Sequence, residues 1–301
     1  MLDKCKVNIE SLELSISYHC NISCKGCSHC SPLFKKEYFD VYKEIKNLKI
    51  LSEYLNIKIV KLIGGEPLLN KDIDKIIQIL KEESIGDKIY VATNGLLLNK
   101  MSEYFWKNID GLEVSIYKPG LEKKIESLIK NKFSRNDQFA FIYCYDKFRY
   151  PFVKSEIIDK DLVNHIYKNC LFARDWQCFN YNKGYFFKCP QSWVMSDKFQ
   201  LFNFEDVGIK IEDSTQFPEM LYNYINSINP IESCNYCLGC VGKLFPIQQL
   251  DKNKYIASIP NKIDDLVDIK FLKELDKNRD VLIGTISNTI EIVGCEKCNN
   301  L

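Results

Sequence analysis

LELSISYHCNISCKGCSHCSP, residues 12–32, is a short alternating run that ends in four closely spaced cysteines. Apolar side chains at every second position predict a strand over Leu12–Ser17, which puts the cysteines on the loop at its C-terminal end. The same grammar repeats downstream. Helical spacing over Tyr38–Leu55 is followed by a β-branched run, Ile57–Gly65, that stops at two glycines. A helix over Asp72–Glu83, a strand over Lys88–Gly95, a helix over Leu98–Asn108 and a strand over Leu112–Tyr117 come next. A helix over Glu122–Asn131 and a strand over Phe139–Tyr145 complete the series. Alternation this regular predicts an α/β fold with a parallel sheet and right-handed crossovers, open or closed as a barrel. Chemistry in such barrels gathers at the C-terminal strand ends. The cysteine loop, Gly64-Gly65-Glu66-Pro67, Thr93-Asn94-Gly95 and Ser115 all fall on that rim.

The chain has 301 residues, 46% hydrophobic and 27% charged, as expected of a globular enzyme with one large domain and a smaller appendage. Its net charge of +1 leaves no electrostatic footprint for nucleic acid or an anionic membrane, so neither is expected as a partner. There is no apolar run of signal-peptide or membrane-spanning type, and the expected location is a reducing cytoplasm. Fourteen cysteines in that compartment point to metal or redox chemistry, because disulfides are rare there.

After about Tyr150 the alternation fades and cysteines return, at Cys170, Cys178, Cys189, Cys234, Cys237, Cys240, Cys295 and Cys298. Gln177–Pro190 reads as two short strands around a turn at Asn182-Lys183-Gly184. The second half is expected to be a cysteine-rich module whose bound metal supplies a missing core. The expected boundaries are 1–155 for the first unit, extending to about 230 at most, and 165–301 for the second.

Cys20, Cys24 and Cys27 form C-x3-C-x2-C. Three thiolates on one loop can hold three irons of a 4Fe–4S cube and leave the fourth open to a small molecule. With Gly64-Gly65-Glu66-Pro67 and Thr93-Asn94, this part of the chain resembles the radical S-adenosylmethionine superfamily. The resemblance covers most of the first half. It implies a partial (β/α)6 TIM-like barrel with a small cysteine-rich C-terminal auxiliary-cluster domain. It also implies a 4Fe–4S cluster on Cys20, Cys24 and Cys27, with S-adenosylmethionine chelated to the open iron and cleaved to a 5′-deoxyadenosyl radical. That radical abstracts a substrate hydrogen atom, with electrons from a donor such as flavodoxin or ferredoxin. Gly64 and Gly65 are expected to bring backbone close to the cofactor and Glu66 to accept from its ammonium group. Pro67, Thr93, Asn94 and Ser115 complete the expected cofactor contacts. One departure is Gly26, where the family usually has an aromatic residue, so the adenine pocket is expected to be lined differently.

The second cysteine group resembles the twitch and SPASM extensions of this superfamily. Cys170, Gly184 and Cys189 fit the opening signature, and Cys234 with Cys237 supplies the later pair. The first choice is one auxiliary cluster on Cys170, Cys189, Cys234 and Cys237. By count alone, Cys178, Cys240, Cys295 and Cys298 allow a second. Taken alone, the C-x2-C pairs also suit structural zinc. A cluster near the substrate would make abstraction a two-electron oxidation. A free thiol, from among Cys30, Cys178, Cys240, Cys295 and Cys298, would instead return a hydrogen atom and epimerise. The expected substrate is a carbohydrate or aminocyclitol, favoured by the compact chain and the absence of a segment before the first strand. A ribosomally made peptide is the alternative, and a non-catalytic metal-binding module is a remote third. Tyr117, Lys118 and Arg149 follow strand ends and are candidates to reach the substrate. His29 lies beside the cluster, and His165 reads as an ordinary helix histidine.

Overall fold

A computed structural model describes residues 6–279 and 285–294. Cys5, Cys295 and Cys298, and with them part of the expected second auxiliary set, lie outside the described residues. Strands β1 (Val7–Ser17), β2 (Leu55–Gly64), β3 (Lys88–Thr93), β4 (Gly111–Ile116) and β5 (Phe139–Tyr145) lie parallel and side by side. They are joined by helices α1 (Val41–Tyr54), α2 (Ile73–Glu82), α3 (Glu103–Asn108) and α4 (Glu122–Lys132). The expected α/β fold with repeated parallel strands is therefore present.

Alternation along each strand separates two faces. Leu12, Leu14, Ile16, Val60, Leu62, Val91, Val114 and Ile142 pack against the stripes of the helices, among them Ile76, Ile77 and Leu80 of α2. Each fully buried side chain of this size contributes about 1.5–3 kcal/mol, so the helix-covered face holds the sheet together. The opposite face carries Ser11, Glu13, Lys61, Glu113, Ser115, Tyr143 and Tyr145, and these line a cavity of about 840 Å³.

The cysteine-rich second half shares this sheet. After the short strand β6 (Lys147–Arg149) and helix α5 (Lys160–Lys168), β7 (Cys178–Asn182) pairs parallel with β1, so the sixth parallel strand sits beside the first. β8 (Tyr185–Phe187) returns antiparallel through Lys183 and Gly184, at φ 47° and 81°, the two positive values a type I′ hairpin turn needs. Helix α6 (Pro190–Phe199) precedes β9 (Gly208–Lys210), which pairs with β8, and β10 (Leu244–Pro246) pairs with β6. At the other edge, β11 (Ile286–Val293) adds antiparallel to β5.

The helix expected over Leu98–Asn108 is split. Leu98–Lys100 forms a 3-10 turn, and Ser102 caps α3 by accepting from the Phe105 N–H at 3.0 Å. A serine inside an apolar helical pattern acts here as a start signal. Among the described residues, no helix is long and apolar enough to cross a membrane.

Candidate active site

The loop after β1 brings Cys20, Cys24 and Cys27 to the mouth of the cavity, and all three line it. Burial pushes the Cys20 and Cys24 thiols up to about 12, so a bound metal is what would ionise them. Cys24 Sγ accepts from Gln249 Nε2 at 3.0 Å, and Cys20 Sγ lies 3.6 Å from Asn94 Nδ2. Gln249 arrives on a segment that pairs with the loop itself. Lys25 N–H donates to the Gln248 carbonyl and Leu250 N–H to that of Ser23.

The glycines of the motif after β2 pack their backbone against the cysteine loop. A Cβ on Gly64 would stand 2.0 Å from the Ser17 carbonyl oxygen, and one on Gly65 would stand 2.2 Å from that of His19. Gly65 N–H donates to the Ser17 carbonyl at 2.6 Å and Glu66 N–H to that of His19 at 3.0 Å. Close approach thus locks this turn against the cysteine loop, while both glycines still line the cavity. The Glu66 carboxylate is fully buried and accepts from Thr93 Oγ1 at 2.6 Å, Asn94 N–H at 2.8 Å and Leu68 N–H at 3.1 Å. It braces two rim turns with three of the roughly four bonds that a carboxylate can accept. Burial raises its pKa, against these three bonds. Pro67 opens the 3-10 turn Pro67–Leu69 behind it.

Thr93 and Asn94 line the cavity, and Asn94 Nδ2 also donates to Asn21 Oδ1 at 2.7 Å. Ser115 lines it and hydrogen-bonds the hydroxyls of Tyr117 and Tyr145. Gly26 packs against a residue from the far half of the chain. Gly26 sits at φ 70°, and a Cβ there would be 2.4 Å from the ring of Phe245 on β10.

Cys170, Cys178, Cys189, Cys234, Cys237 and Cys240 line the same cavity. Burial raises the pKa of Cys170, Cys234 and Cys237, and neighbouring thiols add to it: Cys240, Cys237 and Cys189 act on Cys170, Cys237 and Cys189 on Cys234, and Cys189 and Cys240 on Cys237. Cys189 stands at the N-cap position of α6, where its carbonyl accepts from the Ser192 hydroxyl at 2.6 Å, and Gly239 N–H donates to Cys237 Sγ at 3.3 Å. Such a position and such a donor both favour thiolate. Cys178, on β7, lies beside Glu13 and near enough to Cys189 to feel its charge. Among the described residues, no three His, Cys, Asp or Glu side chains close on one point as a lone tetrahedral ion requires.

Cys30 is fully buried among Tyr18, Phe34 and Trp193 and packs away from the lumen, so it is no donor to a substrate. Tyr117 and Arg149 line the cavity. Arg149 is held by the Gly242 carbonyl and by Asp268 at 3.1 Å. His29 lines the cavity as a neutral ring, its pKa lowered to about 4 by burial. His165 is a surface group paired with Asp276 at 2.7 Å. The residues that pattern reading missed are Gln249, Phe245 and a polar cluster on the sheet itself. In that cluster Lys61 pairs with Glu113 at 2.8 Å beside Glu13, and inward charges on β1, β2 and β4 were its visible signal.

A half-open parallel sheet with three cysteines on the loop after its first strand, braced by glycine-rich and Thr-Asn turns, defines a class. The profile of the Radical SAM superfamily matches residues 14–136, so this part of the chain is similar to a superfamily whose cofactors are a 4Fe–4S cluster and S-adenosylmethionine. The chain is 37% identical over 103 residues to a probable GTP 3′,8-cyclase of Methanocaldococcus jannaschii, covering 34% of each chain. It is 38% identical over 116 residues to a GTP 3′,8-cyclase of Clostridium botulinum, covering 38% of this chain and 35% of the relative. The matches therefore span about a third of these relatives' length. Among solved structures, BtrN in complex with AdoMet and 2-DOIA is 15% identical at a TM-score of 0.43, covering 72% of this chain and 87% of that one. Streptococcus suis SuiB bound to precursor peptide SuiA is 20% identical at a TM-score of 0.29, covering 40% and 30%.

Proposed function

We propose that the chain reductively cleaves S-adenosylmethionine and uses the resulting 5′-deoxyadenosyl radical to abstract a hydrogen atom from a small hydroxylated substrate of the carbohydrate or aminocyclitol type, oxidising it with the auxiliary cluster as electron sink. One observation carries this reading: a single cavity is lined both by the Cys20, Cys24 and Cys27 loop and by Cys170, Cys189, Cys234 and Cys237. Cavities of roughly 300–1,000 Å³ suit compact ligands, and about 840 Å³ falls within that range.

The chain's own residues divide the work. Gly64 and Gly65 fix the turn beside the radical cluster's loop, and Glu66 holds that turn to Thr93 and Asn94. Gln249 donates to Cys24 and so influences how electron-rich that ligand is. Tyr117, Tyr143, Tyr145 and Phe148 wall the lumen with rings and hydroxyls that pack on and orient a substrate. Cys178 lines the cavity near Glu13, so epimerisation by a returning thiol hydrogen is the second reading.

Anaerobic protein with dithionite and S-adenosylmethionine is expected to form 5′-deoxyadenosine. With a substrate in hand, reaction in deuterated water separates the two readings. A ketone without solvent deuterium supports oxidation, whereas deuterium at an inverted carbon means a thiol donor. Intact S-adenosylmethionine after incubation would remove both.

A further inference from the structure

The charges that line the cavity are paired, with one exception. Among the described residues, Glu10 pairs with Lys58, Glu113 with Lys61, Asp175 with Arg279 and Arg149 with Asp268. Glu13 makes no ion pair within 4.0 Å, is 6% exposed, and its Oε2 has no hydrogen-bond partner among the described residues. The positive charge of Lys61 lies nearby, but Glu113 already holds it at 2.8 Å. A buried carboxyl with an idle oxygen on the wall of a cavity is costly unless something completes it. The aromatic rings of Tyr117, Tyr143 and Tyr145 line the same lumen. These surfaces suit the C–H faces of a saturated ring and the field of a cation.

We propose that Glu13 anchors a substrate ammonium group, so that the lumen takes an amine-bearing cyclic polyol rather than a neutral sugar or a nucleotide. This rests on the reading of the cavity as the substrate chamber and names its substrate class. A nucleoside triphosphate would bring several negative charges to a wall whose only lining cations among the described residues, Lys61 and Arg149, are already engaged. An ammonium group instead supplies the charge that Glu13 lacks, and ring hydroxyls can reach Tyr145, Ser115 and the unpartnered Thr285 Oγ1.

The test is equilibrium binding to anaerobically reconstituted protein with three probes: streptamine, a diaminocyclitol cation; scyllo-inositol, the same ring without amines; and GTP. Wild type is expected to bind streptamine at least tenfold more tightly than scyllo-inositol. Glu13→Gln should reduce that preference to about twofold with iron content unchanged. Glu13→Asp, which keeps the charge, should retain most of it and serves as the arm in which folding is least disturbed. Equal binding of the two cyclitols, binding of neither, tight GTP binding, or a preference untouched by Glu13→Gln would overturn the proposal. Formation of 5′-deoxyadenosine by the same wild-type sample is scored separately. Its failure counts against the radical reading, whereas lost amine preference in a sample that cleaves S-adenosylmethionine counts against the Glu13 anchor alone.

Discussion

Replacing Glu66 by glutamine asks whether this side chain braces the rim or binds the cofactor. Its two oxygens accept from three donors, Thr93 Oγ1, Asn94 N–H and Leu68 N–H, in a fully buried site. A glutamine keeps one acceptor oxygen. If that oxygen turns to Asn94, the Thr93 hydroxyl can rotate to accept from the new amide, but Leu68 N–H then faces an N–H. The loss is one charge-assisted bond plus one buried orphan donor, about 1.5–3 kcal/mol each at face value. Burial works the other way, since it already raises the Glu66 pKa and a neutral amide recovers that cost. The bonds outnumber the single desolvation penalty, so Glu66→Gln is expected to destabilise by about 1–2 kcal/mol. Glu66→Ala loses all three bonds and leaves a void, and should cost about 4 kcal/mol. Urea unfolding followed by circular dichroism measures both, alongside S-adenosylmethionine binding to folded protein. A Glu66→Gln protein as stable as wild type that has lost cofactor affinity would refute the brace and restore the direct-contact role.

Three further substitutions separate packing from chemistry. Gly65→Ala puts a Cβ 2.2 Å from the His19 carbonyl, so the cysteine loop must shift; a cost of about 1–3 kcal/mol and poor iron retention are expected by unfolding and iron assay. Gln249→Leu removes the N–H donor to Cys24 Sγ and should lower the reduction potential of the cluster on that loop with little change in iron content, as measured by redox titration with EPR detection. An unchanged potential would show that this contact does not tune the site. Cys30→Ala should keep full iron content and S-adenosylmethionine cleavage, because Cys30 packs among aromatic rings; loss of either would place its sulfur in the chemistry.

Much of the frame was legible because its signals are local. Alternation in Leu12–Ser17 and Ile57–Gly65 placed two strands, and the motifs that follow them needed only those strand ends to land on one rim. Ser102 could have been read as a cap, but the apolar spacing around it masked the break before α3. Contacts from distant sequence left no pattern to read. Gln249 reaches Cys24 across 225 residues, and Phe245 fills the space that Gly26 leaves open. β7 pairs parallel with β1 along Ser11–Leu14, and periodicity marks a strand without naming its partner. The charged trio lay between. Glu13, Lys61 and Glu113 interrupt strands at inward positions, a local violation that marks either strain or function, and only the assembled sheet showed that Lys61 and Glu113 pair while Glu13 is left over.

Iron counting on paired variants tests the two-cluster cavity most directly. Anaerobically reconstituted wild type is expected to hold about eight irons, four per cube. Cys20→Ala and Cys189→Ala should each fall to about four, and only the first should abolish 5′-deoxyadenosine formation outright. A wild type with zinc in place of half its iron, or a Cys189→Ala protein with its full complement, would contradict the assignment.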